Sequence, residues 1–122
     1  MVEVICDTSF LINLATRRIK NIDNLDVEIG TISFVVPEVV KTELLKLQII
    51  PEKKYDIDKT LDFIKNFKKI PLSGSFADKE LLEYAKCNQS IIGTMDKELK
   101  KLVKQAGGSI LSFSNDKIIL ES

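Results

Sequence analysis

The segment Val2-Glu3-Val4-Ile5-Cys6-Asp7-Thr8-Ser9-Phe10-Leu11-Ile12 changes character at Asp7. Val2 to Cys6 are mostly β-branched and apolar, the composition of a buried strand. Asp7 ends that run, and Phe10-Leu11-Ile12-Asn13-Leu14-Ala15 opens a helical one. A buried strand that gives way to a helix through a carboxylate is the start of an α/β unit. In open sheets of this kind, ligands bind in the crevice beyond the carboxyl ends of the strands. Asp7 therefore marks where other chemically capable residues should converge.

The alternation continues along the chain. Residues 9–18 read as a helix ending in Arg17-Arg18, and 20–30 as a polar stretch holding a short second helix and a loop, closed by Gly30. Ser33-Phe34-Val35-Val36 is a second strand. Pro37 stops it and suits the first turn of a helix from about Glu38 to Ile50. At about 100° per residue, Val39, Val40, Leu44, Leu47 and Ile50 share one face of that helix. Asp58 to Lys69 carries Leu61, Ile64 and Phe67 at helical spacing. Ile70-Pro71-Leu72 is extended, Ser73-Gly74-Ser75 is a turn, and a helix runs from Phe76 to about Asn88. Ser90 to Gly93 is a strand and Lys97 to Ala106 a helix ended by Gly107-Gly108. Ser109 to Phe113 closes the sheet, with Ile118-Ile119-Leu120 as a small edge strand. Strands alternating with helices imply a three-layer α/β/α sandwich around a central, mainly parallel sheet. The chain of 122 residues fits a single domain over 1–122.

Composition narrows the chemistry. No apolar run approaches the ~20 residues of a membrane helix, and no signal-peptide pattern opens the chain, so a cytoplasmic protein away from membranes is expected. Cys6 and Cys87 are too isolated for a disulfide framework or a zinc site and read as reduced thiols. The chain has no histidine, which removes the commonest general base and transition-metal ligand. Any hydrolysis must then run on carboxylates, hydroxyls, lysines or a hard metal ion. The formal charge of zero argues weakly against a nucleic-acid binder. If four acids converge on metal, however, the remaining surface carries 18 basic against 14 acidic groups.

Four carboxylates stand where an acidic cleft would form. Asp7 and Asp96 follow strand ends. Glu43 interrupts the apolar stripe of its helix where core spacing calls for leucine, and a lone buried carboxylate is costly without compensation. Asp78 opens the helix that leads into the strand before Asp96. Several carboxylates in one semi-buried pocket need cations, and this oxygen-only donor set suits Mg²⁺ or Mn²⁺. Such a site serves phosphodiester hydrolysis. Each residue also has a structural reading. Asp7 and Asp96 can cap helices, Glu43 can pair with a lysine, and Ser75-Phe76-Ala77-Asp78 matches a capping box. Thr94 can hydrogen-bond a ligand at the site or only its own turn. Lys97, Lys100, Lys101 and Arg17 read as solvated surface or as contacts to RNA phosphates.

Asp7-Thr8-Ser9-Phe10-Leu11-Ile12, Pro37-Glu38-Val39-Val40-Lys41-Thr42-Glu43-Leu44, Ala77-Asp78 before Leu81-Leu82, and Thr94-Met95-Asp96-Lys97-Glu98-Leu99, taken in order, resemble the PIN-domain nucleases. The resemblance spans nearly the whole chain. It implies a Mg²⁺- or Mn²⁺-dependent endoribonuclease that cleaves single-stranded RNA. Metal-site roles would fall on Asp7, Glu43, Asp78 and Asp96, with Thr94 supporting. Ser9 departs from the asparagine that many members carry. The chain looks most similar to the archaeal single-domain branch related to small-subunit rRNA-processing endonucleases, and Gly107 to Asp116 contribute to that likeness. This implies pre-rRNA as substrate, a ribosome-assembly partner and a possible homodimer. The VapC toxins share these motifs and imply an antitoxin partner instead. A PIN fold that binds RNA without cutting is the third reading. A phosphoacceptor receiver domain would need paired early acids, and a haloacid-dehalogenase-type phosphatase would need an aspartate where Ser9 stands. The chain offers neither.

Overall fold

A computed structural model describes residues 2–17, 32–72, 77–88, 90–115 and 117–121, with the side chains of Asp78 and Asn88 excepted. The expected second helix within 20–30 and the turn at Ser73-Gly74-Ser75 lie outside the described residues, as does the capping-box serine, Ser75.

The elements are β1 (Val2–Cys6), α1 (Thr8–Thr16), β2 (Ile32–Pro37), α2 (Glu38–Leu47), α3 (Lys54–Phe63), β3 (Lys68–Ile70), α4 (Ala77–Asn88), β4 (Ile91–Gly93), α5 (Lys97–Gln105), β5 (Ser109–Ser114) and β6 (Lys117–Glu121). They build one six-stranded sheet in the order β3-β2-β1-β4-β5-β6. All neighbouring pairs are parallel except β5 and β6, which run antiparallel. The turn between those two strands uses Asn115 at φ 57, a left-handed conformation that asparagine tolerates better than most residues.

The period of two along β1 makes the layers. Val4 and Cys6 point into one core with Phe10, Leu11 and Leu14 of α1, Val39, Val40 and Leu44 of α2, and Ile57 of α3. Ile5, between them, points to the opposite core with Leu81 and Ala85 of α4 and Leu99 and Val103 of α5. A strand buried on both faces must be apolar throughout, which explains the run from Val4 to Cys6. The α/β/α sandwich read from the sequence is the architecture found. The phenylalanines serve the core. Phe10 packs against Phe113 with ring centroids 5.1 Å apart, and against Phe34 at 6.1 Å.

Several boundaries differ from expectation. α2 ends at Leu47 rather than Ile50, because a turn follows it, and β3 spans Lys68–Ile70 rather than 70–72. The third helix begins at Lys54 and ends at Phe63, not at Asp58 and Lys69. Its inward residues are Ile57 and Thr60, while Phe67 follows the helix and stacks on Phe34 at 6.1 Å. Phe67 mimicked helical spacing because a turn, not a helix, returns it to the core. Pro37 is the last residue of β2 and the N-cap of α2, one position before the helix proper. Among the described residues, no helix is long and apolar enough to cross a membrane.

The sheet order fixes the functional geography. The chain starts in the middle at β1, proceeds outward through β2 and β3, and then crosses to β4 on the other side of β1. The carboxyl ends of β1 and β4 therefore flank a topological switch point, where open α/β sheets form their ligand crevice. Asp7 follows β1 and Thr94-Met95-Asp96 follows β4.

Candidate active site

Asp7 is held at the crevice by both neighbours of its strand end. Its backbone N–H donates to Gly93 O at 2.8 Å, extending the β1–β4 ladder by one bond. Its side chain is 9% exposed. Oδ1 accepts from Thr8 N at 2.8 Å, capping α1. Oδ2 accepts from the Thr94 hydroxyl at 2.9 Å. Asp7 is thus a helix cap and a cleft residue at once.

Thr94 is fully buried, and its Oγ1 also accepts from Asp96 N at 3.1 Å. One hydroxyl therefore joins the two strand ends. Asp96 is the N-cap of α5, and its Oδ1 accepts from Glu98 N at 2.9 Å and Leu99 N at 3.2 Å. Its Oδ2 has no hydrogen bond among the described residues, so this carboxylate keeps one oxygen for the cleft while the helix dipole steadies the other. Ser9 Oγ accepts from Met95 N at 3.3 Å and adds a second tie between α1 and the segment after β4.

Asp7, Thr8, Ser9, Ile12, Glu43, Leu47, Met95 and Asp96 line one cavity of about 410 Å³. Glu43 is half-buried and belongs to this cavity rather than to the core, which resolves its place in an otherwise apolar stripe. Burial, with repulsion from Glu43 and Asp96 added, raises the Asp7 carboxyl above its ordinary value against the opposing bonds from Thr8 N and Thr94. Three like charges facing one cavity thus carry an electrostatic load that a cation would relieve. Thr8 Oγ1, in the same wall, is buried without a hydrogen-bond partner among the described residues.

Asp78 is the second residue of α4, the helix that packs against α2 and hence against the carrier of Glu43. Its side chain lies outside the described residues. Among the described residues, no three acidic or thiol side chains are drawn closely enough to hold a metal ion. The donor set nevertheless fits a hard divalent ion in kind. It offers oxygens only, it is charged, and its buried member is under repulsion from the other two.

The basic residues divide. Lys97 and Lys101 are exposed on α5. Lys100 is turned to the far end of the sheet and pairs with Glu121 at 3.4 Å. Arg17 donates to Asn115 O at 3.1 Å and sits 6.0 Å over the Phe113 ring. Both contact the β5–β6 hairpin, and Arg17 remains exposed. The sequence reading passed over the cavity walls formed by Ile12, Leu47 and Met95 and the ligand potential of Thr8. Only the adjacency of Thr8 to Asp7 could have signalled the latter.

This geometry can be set beside known proteins. Residues 4–115 match the family model described as "PIN like domain". The chain belongs to the PIN-like domain family. It is 31% identical to Ribonuclease VapC4 of Methanocaldococcus jannaschii over 107 residues, covering 83% of this chain and 82% of that protein. Its fold superposes on the PIN domain endonuclease Utp24 with a TM-score of 0.79 and 26% identity, over 98% of this chain and 90% of that one. A domain of a functionally unknown protein from Methanocaldococcus jannaschii shares the fold, with a TM-score of 0.63 and 20% identity over 93% and 92% of the two chains. The family match reaches from β1 to the β5–β6 turn and so includes every residue of the acidic cavity.

Proposed function

We propose that this PIN-like domain is a divalent-metal-dependent endoribonuclease acting on single-stranded RNA. The observation that carries the reading is the convergence of Asp7, Glu43 and Asp96 on one cavity at the switch point. Kinship with a ribonuclease and likeness to an endonuclease support it. Asp7, Glu43 and Asp96, with Asp78 from the start of α4, would hold Mg²⁺ or Mn²⁺. When bound, the ion supplies Lewis acidity and eases deprotonation of water.

The chain's own residues do the rest. Thr8 N and Thr94 fix the orientation of Asp7, and Asp96 is fixed by the first turn of α5. Ile12, Leu47 and Met95 give the cavity an apolar flank beside the carboxylates. Lys97 and Lys101, exposed on α5, would meet backbone phosphates.

For the biological substrate we favour precursor rRNA, on the likeness of the sequence from Gly107 to Asp116 to the rRNA-processing branch. Kinship with Ribonuclease VapC4 supports a second reading, a toxin ribonuclease held in check by an antitoxin. The test is cleavage of labelled single-stranded RNA with Mn²⁺, Mg²⁺ or EDTA, using wild type and Asp96→Asn in parallel. Metal-dependent cutting that the variant loses is expected. A well-folded wild type that neither cuts nor binds Mn²⁺ overturns the proposal. Mapping cuts on total RNA then separates the two biological readings, by a site in precursor rRNA or in mature RNA.

A further inference from the structure

A second, smaller cavity of about 220 Å³ adjoins the acidic one. Ile12 of α1 and Leu47 of α2 line both, so the two share a sill. Beyond that sill, the smaller cavity is walled by Glu52, Lys53, Asp56 and Ile57. Ile57 is buried, whereas Glu52, Lys53 and Asp56 are exposed. The floor is therefore apolar and the rim charged.

The rim is braced. Gln48 Nε2 donates to Asp58 Oδ1 at 2.7 Å, and Lys54 Nζ donates to Asp58 Oδ2 at 3.1 Å, pinning the corner between α2 and α3. The Asp56 carbonyl is occupied by the Thr60 hydroxyl at 2.7 Å. The carboxylates of Glu52 and Asp56 have no hydrogen-bond or ion-pair partner among the described residues. The cavity thus offers an apolar floor, two free acceptors and one cation, at a volume below the ~300 Å³ where sites for drug-sized ligands begin.

We propose that this cavity is a nucleobase subsite, which takes the base of a nucleotide neighbouring the one cut and selects a base bearing an exocyclic amino group. The inference rests on the endonuclease reading of the acidic cavity. A planar base would lie on Ile12, Leu47 and Ile57, with its amino group donating to Glu52 or Asp56 and its backbone phosphate meeting Lys53. Cytosine, adenine and guanine each present such a donor, whereas uracil offers only its N3–H, flanked by two carbonyl oxygens that the same carboxylates repel. The subsite therefore discriminates against uridine.

The experiment reads binding separately from cutting. A labelled oligouridine, with a single cytidine or adenosine moved along it, is titrated in EDTA by fluorescence anisotropy. Wild type, the double variant Glu52→Gln/Asp56→Asn and Lys53→Ala are compared, and cutting of the same oligonucleotides in Mn²⁺ is followed in parallel. Wild type should bind about fivefold more tightly when cytidine or adenosine occupies one particular position. The double variant should reduce that preference to within about twofold, because an amide also donates to uracil. Lys53→Ala should weaken every sequence alike by roughly threefold and lower the salt dependence. Base-blind binding, or a preference that survives in the double variant, overturns the subsite and leaves the groove to a protein segment. Cutting without preference would sink the subsite alone. Preference without cutting would uphold base selection by the groove and sink the nuclease, and with it the placement beside a cut nucleotide.

Discussion

The Thr94 hydroxyl donates to Asp7 Oδ2 at 2.9 Å, across 87 positions of sequence, and accepts from Asp96 N at 3.1 Å. A single buried side chain thereby sets the spacing of two carboxylates that arrive on different strands. Thr94→Val keeps the shape and removes both bonds. It should cost about 1–2 kcal/mol of stability and lower cleavage by at least roughly tenfold. Thr94→Ser should retain most of both. Denaturant titration and initial rates check this, and full activity in Thr94→Val would refute the coupling.

Asp7 is expected to trade stability for function. Burial first, and then Glu43 and Asp96, raise its carboxyl above the ordinary value. A raised folded value means that the folded chain keeps this proton at pH values where the unfolded chain has lost it. Stability from this group is therefore present at low pH and declines as pH rises through that window. The ionised Asp7 is a cost at neutral pH in the absence of a cation. Asp7→Asn can still cap α1 and should be at least as stable as wild type in EDTA at pH 7, with the gap closing in acid. Added Mn²⁺ should raise the Tm of wild type only. A variant markedly less stable in EDTA would contradict the account.

Glu121 behaves in the opposite sense. Hydrogen bonds from the buried Ser112 hydroxyl at 2.6 Å and from Lys104 at 2.9 Å hold its carboxyl down to about 2. A lowered folded value gives stability that is complete above the unfolded value of 4.5 and lost as pH falls toward 2. Since the group is partly exposed, we expect Glu121→Gln to cost only about 1 kcal/mol at pH 7. The difference from wild type should shrink below pH 4.5 and vanish near 2. A deficit independent of pH would show that packing of β6, not charge, is at stake.

Gly93 bears on the site through space. A Cβ there would meet the Phe10 ring at 2.8 to 3.0 Å, and Phe10 is fully buried. Gly93 O also accepts the Asp7 N–H. Gly93→Ala should therefore cost about 1–3 kcal/mol by overpacking and displace Asp7 as well. Thermal unfolding and the rate in Mn²⁺ should fall together. An unchanged Tm would show that Phe10 has room to move.

Much of this was legible in the chain because it is written in local pattern. The unbroken apolar run of β1 foretells a strand buried on both faces, and the abrupt Asp7 foretells its end. Glu43 stood out because it breaks a stripe of period 3.6, and the cavity explains the break. What stayed hidden depends on distant partners. Nothing near Thr94 announces that its acceptor is Asp7. Lys100 looked like open helix surface because Glu121, which pairs with it, comes from the last strand. The α3 boundary failed because Phe67 returns to the core by a turn at helical spacing, while the first turn from Lys54 buries only Ile57, too little to set a period.

Manganese binding followed by electron paramagnetic resonance, on wild type and on Asp7→Asn, Glu43→Gln and Asp96→Asn separately, bears most directly on the convergence of these carboxylates. If they share one cation site, wild type binds Mn²⁺ and each single variant binds at least roughly tenfold more weakly while remaining folded. Variants that bind as wild type does, or a folded wild type that does not bind, would contradict a shared site.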